Sequence, residues 1–110
     1  MEDCLFCKII RKEIPSEIIF ENEQMISFKD IRPKAKVHFL VLPKKHIHSV
    51  RELQEEDKNL VGEMILTAQK IAEKQNLTGY KLIFNVGRKG GQLVDHIHLH
   101  LVSRDIEELP

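Results

Sequence analysis

Residues 96–102 run His96-Ile97-His98-Leu99-His100-Leu101-Val102, three histidines alternating with apolar residues. Strict alternation is the period of a half-buried strand, in which side chains two apart share a face with their Cα atoms about 6.6 Å apart. His96, His98 and His100 would then stand in one row and converge on one site. A helix would turn His98 roughly opposite to the other two. A shared site therefore requires an extended backbone, and the alternation of Ile97, Leu99 and Leu101 supports that independently.

Immediately upstream, Asn85-Val86-Gly87-Arg88-Lys89-Gly90-Gly91-Gln92 sets three glycines ahead of this strand. Such a loop can bring backbone amides up to phosphate oxygens, although glycine-bearing loops mostly make turns. Residues 80–86 read as a strand and 87–91 as the loop. Between 55 and 75, Leu60, Val61, Met64, Ile65, Ala68, Ile71 and Ala72 recur at three- and four-residue steps, which predicts one long helix. Glu55, Glu56 and Asp57 suit the positive end of its dipole, and Thr78-Gly79 supplies a stop signal. Residues 37–42 form a β-branched and aromatic run ending at Pro43, and 30–36, with Pro33, a loop. The apolar runs 18–20 and 25–28, split by Glu21-Asn22-Glu23, read as a hairpin. Phe6, Ile9 and Ile10 predict a short helix over 5–11, which Pro15 ends.

Five strands and two helices in this order indicate an α+β fold: a five-stranded antiparallel sheet with one short N-terminal helix and one long helix. A chain of 110 residues is expected to form a single domain over 1–110. Its 42% hydrophobic and 31% charged residues are an ordinary globular balance. Seventeen basic and seventeen acidic residues cancel, which argues against a broad surface for nucleic acid, so any anionic ligand must be held locally. Acidic Glu2 and Asp3 stand where a secretory signal would carry basic residues, and no apolar run approaches the length of a membrane span. A cytoplasmic location without membrane partners is expected.

Three imidazoles on one face can serve as nucleophile, proton donor and hydrogen-bond donor near neutral pH, a combination suited to phosphoryl or nucleotidyl transfer. Two other readings are a row of strand histidines without a shared role and a row of three zinc ligands. In a reducing compartment Cys4-x-x-Cys7 reads as a metal site or redox motif more readily than as a structural disulfide. Two soft ligands at that spacing need two nitrogens to close a tetrahedral site, which His46 and His96 could supply. His48 is a weaker candidate for the same place, and His38 reads as structural. No organic cofactor is expected.

The pattern His-φ-His-φ-His-φ-φ, with φ apolar, resembles the signature of the histidine-triad superfamily. Phe6-Cys7-Lys8-Ile9-Ile10, Ile14-Pro15, Phe28-Lys29-Asp30-Ile31, Val41-Leu42-Pro43-Lys44-Lys45-His46 and Gly90-Gly91-Gln92 look like its nucleotide-binding Hint branch. The resemblance covers nearly the whole chain in order. It implies a purine nucleoside phosphoramidase, or a related nucleotide hydrolase, acting as a homodimer that joins two five-stranded sheets into one.

By the same resemblance His98 attacks the α-phosphorus to form a nucleotidyl-histidine, which water then hydrolyses. His100 hydrogen-bonds the phosphate or leaving-group oxygen, and His96 orients the cluster. Asp30 takes the ribose hydroxyls, and Phe6, Ile9, Phe28 and Ile31 wall the purine pocket. Asn85, Gly91 and Gln92 face the phosphate. Leu93 stands where several members have a serine, so its backbone amide serves instead. Some bacterial members and the related galactose-1-phosphate uridylyltransferases hold zinc through a Cys-x-x-Cys pair and two histidines. Cys4, Cys7, His46 and His96 match them, which implies a structural zinc tying the N-terminal helix to the sheet. The sequence stops at Pro110 without the longer tail of some members, which leaves substrate preference open. A non-catalytic purine-nucleotide-binding adaptor and a dinucleoside polyphosphate hydrolase are the alternatives.

Overall fold

The computed structural model describes residues 3–106 and 108–110. Its elements run α1 (Leu5–Ile10), β1 (Ile18–Glu21), β2 (Met25–Lys29), β3 (Val37–Pro43), α2 (Lys58–Lys74), β4 (Lys81–Ile83) and β5 (Leu99–Ser103). The five strands form one sheet in the order β1-β2-β3-β5-β4, and every neighbouring pair is antiparallel. The expected α+β architecture is the one observed.

The two faces follow from the period of β3. Phe39 and Val41 pack with Met25, Leu99 and Leu101 against Met64, Ala68, Ile71 and Ala72 of α2. Leu40 and Leu42, offset by one residue, pack instead with Ile26, Phe28 and the α1 residues Phe6 and Ile9. Alternate side chains of a strand point to opposite faces, so α2 covers one side of the sheet and α1 the other. His38 on β3 and His100 on β5 share the even-numbered parity of Leu40, which lies directly opposite His100, and His98 just ahead of β5 keeps the same parity.

Three expected boundaries shift, each for a local reason. The long helix starts at Lys58, because Glu55–Asp57 forms a 3-10 turn in which the Asp57 carboxylate accepts from the Gln54 amide at 2.9 Å and from Lys45 Nζ at 2.9 Å. On α2 the buried stripe uses Thr67 and leaves Ile65 exposed. Strand β4 stops at Ile83, opposite His100, whereas 80–86 was expected. The histidine strand also begins late: β5 pairs with β3 only from Leu99, opposite Val41. Beyond that point Ile97 N donates to Ile47 O at 2.7 Å and His96 N to Val94 O at 2.9 Å. His96 and His98 therefore lie on the approach to β5, ahead of its ladder. Among the described residues no helix is long and apolar enough to cross a membrane.

Candidate active site and metal centre

His98 is buried, and its Nδ1 lies 2.8 Å from the carbonyl oxygen of His96. A carbonyl only accepts, so Nδ1 carries the proton and Nε2 keeps a bare lone pair. Burial lowers the pKa of His98 below that of free histidine, with the His96 carbonyl and the charge of Asp30 opposing it in part. The ring is consequently neutral at pH 7, the form a nucleophile needs. Phe6 of α1 meets it edge to face at 5.0 Å and meets Phe28 of β2 at 5.4 Å, so α1 stands over the nucleophile candidate.

His100 is held in a definite tautomer by His38, whose place in an apolar strand suggests only a structural role. The amide of Lys34 donates to His38 Nδ1 at 2.9 Å. His38 Nδ1 is thus an acceptor, and the neutral ring must carry its proton on Nε2. That Nε2 lies 2.9 Å from His100 Nδ1 and 3.4 Å from Asp30 Oδ2. With its Nδ1 accepting, His100 carries its own proton on Nε2, and this atom is buried without a hydrogen-bond partner among the described residues. Burial first, then the neighbouring His98 and His38, push its pKa down to about 3. A fixed N–H in a desolvated place, with nothing to donate to, is a site for an oxygen acceptor. The His98 and His100 rings are 4.9 Å apart.

His96 differs from the other two members of the row, and the expectation of three rings converging on one site is corrected here. Its Nε2 donates to the carbonyl of Pro43 at 2.8 Å, which leaves Nδ1 with the lone pair. Nδ1 faces Cys4 Sγ and Cys7 Sγ, each at 3.6 Å, and His46 Nδ1 at 3.2 Å, while Cys7 Sγ lies 3.3 Å from His46 Nδ1. In a tetrahedron with zinc–sulfur bonds of about 2.3 Å and zinc–nitrogen bonds of about 2.0 Å, the edges are about 3.5 Å for S–N and about 3.3 Å for N–N. The four donors therefore fit a metal ion, and they lie close enough together to hold one. Burial pushes His96 down to about 4 and also lowers His46, so both imidazoles keep their lone pairs. The Pro43 carbonyl is the outer partner that orients a ligating histidine.

Asp30, His38 and His100 are also close enough to one another to hold a metal, but their proton positions oppose it. A cation on His38 Nε2 would move the ring proton to Nδ1, where it would meet the Lys34 N–H head on. This second cluster is a hydrogen-bond relay.

The loop before the triad is closed upon itself. The amides of Gly90, Gly91 and Gln92 donate to carbonyls of the same loop, and that of Gly87 donates to Gln92 Oε1 at 2.9 Å. Gln92 Nε2 donates to His48 O at 2.8 Å and Val94 O at 3.0 Å, so this side chain, expected to face phosphate, is a strut inside the loop. Gly87 and Gly91 have φ of 73° and 91°, the left-handed region that favours glycine. Arg88 clamps Asp95 through two bonds of 2.8 and 3.0 Å and also reaches Gln92 O. Asn85 lies beside Gly91, half-buried. Phe6, Ile9 and Phe28 are brought together under α1, whereas Ile31 and Leu93, 85% and 77% exposed, stand clear of that cluster. Asp30 is half-buried beside His38. A cleft of about 500 Å³ opens beside the loop, lined by Asp3, Cys4, His46, His48, Arg88 and Leu93 among others.

Comparison with known proteins accords with this architecture. Residues 3–109 match the family model described as Scavenger mRNA decapping enzyme C-term binding. The chain is 41% identical over 107 residues to Protein HitA of Neisseria gonorrhoeae, spanning 96% of this chain and 100% of that protein. It is 44% identical over 104 residues to the purine nucleoside phosphoramidase of Escherichia coli, spanning 93% of this chain and 87% of the relative. The solved structure of a HIT family hydrolase from Clostridium thermocellum superposes with a TM-score of 0.92 at 42% identity, covering 100% of this chain and 96% of that one.

Proposed function

The chain belongs to the histidine-triad (HIT) family, and from that premise we propose that it hydrolyses purine nucleotides of the AMP type at the α-phosphorus. The bond cleaved is P–N or P–O, and the reaction proceeds through a nucleotidyl-histidine. One observation carries this reading: a neutral His98 with a bare Nε2 stands beside a buried, unpartnered His100 Nε2–H. Lone pair and donor match the two demands of an α-phosphate, an electrophilic phosphorus and an oxygen on which charge grows.

In the first step His98 Nε2 attacks phosphorus and the leaving group departs. The positive charge that develops on the ring is met by the His96 carbonyl at Nδ1. His100 Nε2–H bonds the phosphate or leaving-group oxygen, and the chain Lys34 amide, His38, His100 keeps that proton pointing outward. Water then attacks the nucleotidyl-histidine and regenerates His98. Asp30 accepts from the ribose hydroxyls, while Phe6, Ile9 and Phe28 wall the purine. Asn85 and the Leu93 amide face the phosphate, and Gly91 shapes the turn that presents them. Gln92 contributes by bracing that loop.

Cys4, Cys7, His46 and His96 hold a zinc ion. When bound it supplies a structural tie and no chemistry on the substrate. The residues so tied are the α1 ends around Phe6 and the turn that offers the His96 carbonyl. The assembly is a homodimer formed along the outer strand β4, where Leu82 and Tyr80 are exposed. An adenosine phosphoramidate with a fluorogenic leaving group tests the activity: many turnovers are expected from the native protein. His98→Gly should reduce kcat by several orders of magnitude while AMP still binds by calorimetry. AMP binding with no turnover in the native protein would refute hydrolysis in favour of an adaptor role.

A further inference from the structure

One feature of the cysteine and histidine cluster is not needed by a purely structural tie. Cys4 is only half-buried and forms part of the wall of the 500 Å³ cleft, whereas Cys7 is buried behind it. The two sulfurs also lie within 4.8 Å of each other, across the first turn of α1. One thiol is thus open to small solutes, and the second is placed to resolve whatever forms on the first. Cys-x-x-Cys spacing is the arrangement in which that second step closes a disulfide readily.

We infer that this cluster is a peroxide-sensitive clasp, in which oxidation of Cys4 and Cys7 to a disulfide unlocks α1 from the turn that presents His98. The inference rests on the metal site proposed above. The Cys4 thiolate attacks hydrogen peroxide, breaking the O–O bond to give a sulfenic acid and hydroxide. The Cys7 thiolate then displaces hydroxide from that sulfenic acid and forms the S–S bond. Two thiolates lose two electrons and the peroxide gains them, yielding two hydroxides. The charge of the two lost thiolates balances that of a divalent cation set free, because His46 and His96 remain as only two neutral donors.

The consequence reaches the nucleotide site through Phe6 and the His96 carbonyl. Phe6 lies between the two cysteines in sequence and packs on His98 at 5.0 Å. The His96 backbone holds His98 Nδ1 while the His96 ring is a member of the clasp. Opening the clasp frees both neighbours of the nucleophile at once, and a reductant together with metal closes it again.

The test uses the full chain loaded with zinc and titrated with hydrogen peroxide. A chromogenic chelator reads released metal, a thiol reagent counts cysteines, and intact mass identifies the product. About one equivalent of zinc should appear as about two thiols vanish, with a mass about 2 Da below that of the reduced metal-free chain. Hydrogen exchange of α1 should rise in parallel, and dithiothreitol with zinc should restore the starting state. Zinc and both thiols persisting at a tenfold excess of peroxide would overturn the clasp while leaving the metal site standing. Oxidation straight to sulfinic or sulfonic acid, with no recovery by reductant, would also overturn it. A chain that takes up no zinc before any oxidant is added overturns the metal reading itself, and the clasp with it.

Discussion

Replacing His38 by phenylalanine removes both ring nitrogens while keeping a planar ring in the same buried space. His38 is 3% exposed, so its Nε2 proton is the donor to His100 Nδ1 at 2.9 Å and no solvent is at hand to replace it. The variant leaves a buried acceptor unpaired, which costs about 1–3 kcal/mol. With no donor facing Nδ1, His100 can hold its proton on either nitrogen, and Nε2 is no longer a fixed donor to the substrate oxygen. A hydrogen bond to a charged group is worth about 1.5–3 kcal/mol, so the loss in the transition state corresponds to about a 10- to 100-fold fall in kcat. The KM should change by less than about threefold, because the lost interaction forms only as charge develops. Steady-state kinetics on the fluorogenic phosphoramidate measure both, with AMP calorimetry and urea melts to verify the fold. His38→Gln, which can accept from the Lys34 amide and still donate to His100, should recover part of the rate. A kcat within twofold of the native value in His38→Phe, or a raised KM with unchanged kcat, would refute the relay.

Acid should destabilise the fold well before the carboxylates titrate. His100 is neutral in both states above pH 6.5, but below that the unfolded chain binds a proton that the native ring, at about 3, refuses. The stability present above 6.5 therefore falls with pH by about 1.4 kcal/mol per unit for this group alone, about 2 kcal/mol by pH 5. His38 and His98 shift in the same direction. Urea midpoints that are equal at pH 7 and pH 5 would contradict this. Stripping the metal with a chelator should lower Tm by at least about 10 °C, since a ligand held at 100 times its Kd contributes about 2.7 kcal/mol. His46→Ala should copurify with less than a tenth of the native zinc by elemental analysis, about the background level. Leu82→Glu on the β4 edge should halve the mass in sedimentation equilibrium, and an unchanged mass would move the dimer contact elsewhere.

Periodic features and short-range chemistry were legible from the residues alone. The alternation around His98 and the stripe from Met64 to Ala72 report which side of an element is apolar, a property of consecutive residues. Cys4 and Cys7 carry their spacing on their face. Counting donors asked for two nitrogens, the family resemblance pointed to His46 and His96, and the four do meet.

Other features depend on register and on backbone partners, neither of which is written in neighbouring residues. His38 looks like one polar residue in an apolar run. It becomes part of the site because β3 and β5 pair with Leu40 opposite His100, across 62 residues of chain. A shift of one residue would put it on the α2 face. Gln92 looks like a ligand in a glycine loop, but the carbonyls of His48 and Val94 hold it as a brace.

From the sequence alone come the antiparallel α+β plan, the extended histidine segment and the donor count for a metal. The tertiary structure decides which nitrogen of each histidine is free. A proton sits on one ring atom or the other according to whether the facing group donates or accepts. For His96, His98 and His38 those facing groups are the Pro43 carbonyl, the His96 carbonyl and the Lys34 amide, which come into place only when the chain has folded.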